Sequence, residues 1–107
     1  MIKILLFLIS LTGFKGIYIC GPDIMAYTSE STRIHEQAHR YDCQNGFISQ
    51  TEEFKEEANS FPLLMDKAKR HCNGGEFCIY SEAYAMLYQH AHGEMQKIPD
   101  NFKEFYQ

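Results

Sequence analysis

Positive charge is scarce in this chain: ten Lys and Arg stand against fourteen Asp and Glu, a formal net charge of -4 over 107 residues. Phosphate backbones select for a basic surface, so a nucleic-acid partner is not expected. Long apolar runs are missing too. No stretch approaches the ~18 residues that a membrane-spanning helix needs, so no stable membrane span is expected. Internal repeats, linkers and low-complexity segments are also absent. With 45% hydrophobic and 22% charged residues, the composition is that of one ordinary globular domain with a modest core.

The first apolar segment reads in two ways. Lys3 precedes the run Ile4 to Leu11, and Thr12 and Gly13 follow it. One positive charge, a short apolar core and small or polar residues form the outline of a secretory signal peptide over residues 1–13. A run of this length also suits a buried β-strand. Residues 14–107 form the single folded domain under the first reading. The protein is then secreted or periplasmic; under the second it is cytoplasmic.

Cysteine usage bears on the same question. Four cysteines in a chain this short point to two disulfides formed in an oxidising compartment. Four cysteines allow three pairings, and the turn Asn73-Gly74-Gly75, which can bring Cys72 and Cys78 together, favours Cys72–Cys78 with Cys20–Cys43. Four reduced thiols in a core, or a small zinc site built on His71, Cys72 and Cys78, are the competing readings.

Local patterning favours helices after one or two short strands. Gly16 to Cys20 is strand-like, and Gly21-Pro22-Asp23 is a turn. Ser29 or Ser31 can cap a helix from Glu30 to Asp42, with Ile34, Ala38 and Tyr41 as its apolar stripe and Asn45-Gly46 as its stop. Further helices are expected over 51–59, from Pro62 to Arg70 and from Tyr80 to His92, the last stopped by Gly93. Phe102, Phe105 and Tyr106 mark a final amphipathic turn. The fold class is α+β: a small helix-rich domain with a short sheet near its N-terminus.

Within the first helix lies His35-Glu36-Gln37-Ala38-His39, an H-E-x-x-H sequence. Residues i and i+4 share a helix face, so two imidazoles there can close on one Zn2+ ion. Glu36 projects beside the metal, where it can act as general base toward a water acidified by zinc. Asp42 continues the His35–His39 face, but seven residues rise ~10 Å, too far to share a tetrahedral ion. It is better placed to orient an imidazole or to close the helix.

A helix carrying H-E-x-x-H with an acidic residue downstream resembles the zincin metallopeptidases, and more narrowly their gluzincin branch. That resemblance implies a zincin-like α+β domain that hydrolyses peptide or protein substrates. It also implies that a Glu from a second helix completes the metal site. Glu82-Ala83-Tyr84-Ala85 is similar to the Glu-x-x-Ala form found in some gluzincins, which makes Glu82 the expected third ligand ahead of Asp42 and Glu76. The strand-like Gly16 to Cys20 falls where zincins place the edge strand that binds extended substrate. The His-x-x-Gly-x-x-His/Asp pattern of metzincins is missing, since Asp42 and Asn45 occupy those places. Oxyanion donors are sought among Tyr80, Tyr84, Tyr88, His90 and His92. Two alternatives stand beside the peptidase: a secreted disulfide-stapled binding or effector module, and a zinc-binding protein of zincin-like form without turnover.

Overall fold

A computed structural model of the protein describes residues 15–107; the apolar run at 1–13 lies outside the described residues. The fold is a small α+β domain in which a two-stranded antiparallel ribbon lies over a group of helices. Strand β1 (Gly16–Ile19) pairs with β2 (Ile24–Tyr27), with Gly16 opposite Tyr27 and Ile19 opposite Ile24. Asp23 closes the hairpin at φ +53°, a left-handed conformation that Asp tolerates better than most residues. Its carboxylate accepts from Tyr18 Oη at 2.8 Å and from the Arg40 guanidinium at 3.0 and 3.1 Å. The turn is thereby tied to the helix beneath it.

That helix, α1 (Glu30–Gln44), starts where Ser29 accepts a hydrogen bond from the Thr32 amide at 3.2 Å. It runs two residues past the expected Asp42 and ends as Gly46 (φ +75°) turns the chain, with the Phe47 amide donating back to the Asp42 carbonyl at 2.8 Å. A 3-10 turn, Ile48–Gln50, leads to α2 (Glu52–Asn59), which is capped by Thr51. Helix α3 (Pro62–Arg70) has proline in its first turn, where the missing amide costs nothing.

Helix α4 (Glu76–His90) starts four residues before the expected Tyr80 and ends two before His92. The early start has a local cause. Gly75 takes φ +94°, so the chain swings from the turn straight into a helix whose first-turn Glu76 suits the dipole and pairs with Lys55 at 3.0 Å. At the far end the Gly93 amide (φ +73°) folds back onto the Tyr88 carbonyl at 3.0 Å. Glu76, which precedes the helix expected from Tyr80, is therefore helical.

Behind α4 sits the core. Phe54 of α2 meets Tyr84, Phe102 and Phe105 edge-on, with ring centroids 5.3–6.0 Å apart. Truncating such a fully buried ring to alanine costs about 3–5 kcal/mol. Asp100–Tyr106, a 3-10 segment, supplies Phe102, Phe105 and Tyr106. Tyr84 Oη donates to the Phe105 carbonyl and Tyr106 Oη to the Tyr84 carbonyl, both at 2.6 Å. Burial pushes both phenols well above their usual range, so they stay neutral donors.

Both expected cysteine pairs form disulfides. Cys20–Cys43 joins the end of β1 to α1, and Cys72–Cys78 closes the turn before α4; each spans 6.0 Å between Cα atoms. Among the described residues no helix is long and apolar enough to cross a membrane.

Candidate metal centre

Helix α1 turns His35 and His39 toward α4, which carries Glu82 in its second turn. Small buried residues, Ala38 on α1 and Ala83 and Ala85 on α4, belong to the same core cluster and keep that interface thin. Three side chains converge. His35 Nε2 lies 2.9 Å from Glu82 Oε2, His39 Nε2 lies 3.4 Å from the same oxygen, and the two Nε2 atoms are 3.2 Å apart. Ligand atoms ~2.0–2.1 Å from a tetrahedral zinc are about 3.3 Å apart, so this triangle has the size that ion requires. Nitrogen, nitrogen and carboxylate oxygen are also a donor set that suits zinc. Among the described residues this is the group of three His, Cys, Asp or Glu side chains able to hold a metal ion.

The imidazoles are held from behind. His35 Nδ1–H donates to Gln89 Oε1 at 2.8 Å, and Gln89 Nε2 donates to Ser31 Oγ at 2.9 Å. His39 Nδ1 lies 3.2 Å from Ser81 Oγ. These contacts occupy the Nδ1 side of each ring, and the Gln89 acceptor leaves the His35 Nε2 lone pair for a metal. Sequence reading assigned no orienting role to Gln89 or Ser81, although both sit beside Glu82, one two turns later and one just before it. Asp42 does not take that role. Its carboxylate accepts from the Ser49 amide at 2.8 Å and the Ser49 hydroxyl at 2.6 Å, so it closes the end of α1 instead.

Electrostatics follow from the same geometry. Burial pushes the Glu82 carboxyl up, but hydrogen bonds and charge from His35 and His39 outweigh it and hold the group well below the carboxylate range. Burial lowers His35, yet the Glu82 contact and the Glu36 charge leave it above the usual histidine value. Glu36 is 6% exposed and shifted upward by burial, against the pull of His39 and His35. No side chain among the described residues hydrogen-bonds it. Gly16 of β1 lies directly against it: a Cβ at position 16 would meet Glu36 Oε2 at 3.0 Å and collide with the Thr32 methyl. Glycine is what lets the ribbon cover this carboxylate.

A cleft of about 350 Å³ opens where Glu36, His39 and Glu82 face β1. Tyr18 is the tyrosine that lines it. Tyr80 and Tyr84 instead point into the core, Tyr80 Oη accepting from Asn59 at 2.8 Å, and Tyr88 stacks on Tyr106. His90 and His92 are exposed. Cys72 and Cys78 are consumed by their disulfide, which removes the alternative zinc site with His71. Compared with models of protein families, with curated proteins and with solved structures, the chain matches none of them.

Proposed function

We propose that this protein is a small zinc-dependent peptidase of the gluzincin type, in which His35, His39 and Glu82 hold the ion and Glu36 is the general base. The observation that carries the reading is the convergence of three ligand atoms at zinc-like spacing beside a largely buried carboxylate that faces the cleft. Zinc bound there supplies Lewis acidity and a water that ionises near neutral pH. Glu36 takes a proton from the attacking water and passes it to the departing amine of a peptide or protein substrate. Its raised affinity for protons suits it to hold one between the two steps. Gln89, whose Oε1 only accepts, keeps His35 in the required tautomer, and Ser81 holds the Nδ1 side of the His39 ring. Two disulfides support an oxidising compartment and hence a secreted protein.

A metal-binding protein without turnover is the second reading, favoured by the modest cleft and its two-stranded wall. Elemental analysis separates these ideas from a purely disulfide-stapled module. About one zinc per chain is expected in the wild type, with loss in His39→Ala and Glu82→Ala. No zinc in wild-type protein prepared without chelator and then supplied with zinc sinks both metal readings. Zinc without cleavage of any member of a broad peptide library, by wild type or by Glu36→Ala, leaves the inert one.

A further inference from the structure

The cleft beside the metal centre has an apolar end that the peptidase reading leaves without a role. Phe47 and Phe77 meet there edge-on with ring centroids 5.2 Å apart, opposite Ile17 and Tyr18 of β1. Phe77 remains 54% exposed even in this contact, so an aromatic face stands open at the mouth of the cleft. Phe47 has φ +63° and ψ +67°, a left-handed backbone that bulky side chains seldom adopt. Such strain persists where the surroundings impose it, and it gathers at ligand-binding positions. Both rings are also anchored. Phe47 is held through its amide on the Asp42 carbonyl, four residues after Cys43, whose disulfide lines the cleft. Phe77 adjoins disulfide-bonded Cys78, and its carbonyl accepts from Gln50 Nε2 at 3.1 Å.

Size and charge define the occupant. About 350 Å³ is near the lower limit for ligand pockets, enough for one large side chain and its backbone. The acidic groups lining the cleft are Glu36 and Glu82, and no Lys or Arg lines it among the described residues. With no Lys or Arg among the described lining residues, an acidic side chain would be desolvated there without a partner, whereas a neutral apolar one would meet the two rings.

We infer that Phe47 and Phe77 form a side-chain-recognising subsite that selects peptides with a bulky apolar or aromatic residue beside the scissile bond and rejects acidic ones. This rests on the peptidase reading for its purpose but on the cleft alone for its existence, and the test separates the two. Amide chemical shifts of the full-length protein are followed while N-acetyl-phenylalanine methylamide or N-acetyl-aspartate methylamide is added. The phenylalanine probe is expected to shift Ile17, Tyr18 and Phe47, and to bind about tenfold more weakly to Phe77→Ala and Phe47→Gly. Phe77→Leu should restore most of the binding. Phe77 is half exposed, so its loss leaves the fold intact, and glycine adopts the φ of residue 47 freely. Equal binding of both probes, or unchanged affinity in both variants, overturns the subsite. Phenylalanine-selective binding without turnover by the zinc-loaded protein supports the subsite and removes the peptidase. Turnover that ignores residues 47 and 77 does the reverse.

Discussion

Glu36 and Asp42 are both buried carboxylates on α1, six residues apart, and burial raises both toward protonation. Their surroundings nevertheless differ. Asp42 accepts from the amide and hydroxyl of Ser49, so its oxygens are used up in holding the chain that leaves the helix. Glu36 has the flat backbone of Gly16 above it, two imidazoles beside it and a cleft in front. Burial and a shifted pKa therefore do not identify a working carboxylate. The informative contrast is between a group whose oxygens are taken up by hydrogen bonds within the fold and one whose side chain opens onto a cleft.

Exchanging each carboxylate for a neutral residue sharpens that contrast. Glu36→Gln is expected to lower peptide hydrolysis by about 10²–10⁴-fold while zinc content and melting temperature stay at wild-type values or rise. Asp42→Ala should do the opposite. It leaves two buried donors of Ser49 unpaired and costs about 2 kcal/mol in urea unfolding, with zinc stoichiometry of the folded protein unchanged. A Glu36→Gln protein that loses its zinc, or an Asp42→Ala protein that is stable but inactive, would break the distinction.

How much of this was legible in the sequence depends on the range of the interactions. The α1 helix, its Ser29 cap and the His35–Glu36–His39 arrangement are local matters of spacing, and they stand where the residues put them. Glu82 lies 43 positions after His39, beyond any local spacing, and the similarity of Glu82-Ala83-Tyr84-Ala85 to the Glu-x-x-Ala form is what singled it out. The start of α4 was not visible, because it depends on Gly75 adopting a positive φ beside a disulfide-closed turn. Strand β2 is too short to signal itself and exists through its pairing with β1 and its burial of Ala26. The Ser49 partnership of Asp42 and the Phe47–Phe77 contact arise from the chain reversing after Gly46, which no periodicity encodes.

Two smaller effects test the same helix. Zinc bound at the proposed site would displace a proton from His35, whose affinity for it is raised, so apparent zinc affinity should fall about tenfold per pH unit below the elevated His35 pKa. In metal-free protein the pair acts on stability. His35 contributes fully below its unfolded value of 6.5 and fades as pH rises through its higher folded value. Glu82 contributes above its unfolded value of 4.5 and is lost as pH falls toward its depressed folded value. Melting temperature of the metal-free chain should therefore peak between these two limits, and Glu82→Gln should flatten the peak. Gln89→Ala, which removes the acceptor behind His35, is expected to weaken zinc about tenfold by competition with a chromophoric chelator.

The Cys20–Cys43 link has a consequence for the ribbon that covers Glu36. A two-stranded hairpin is barely stable by itself in water and opens readily. β2 already runs into α1 through Thr28 and Ser29, and the disulfide ties the turn end of the hairpin to the same helix with 6.0 Å between Cα atoms. Held at both ends, the ribbon has few open arrangements to visit, so the carboxylate is re-covered without the hairpin being stable by itself. The chain thus keeps a wall over Glu36 with four residues per strand.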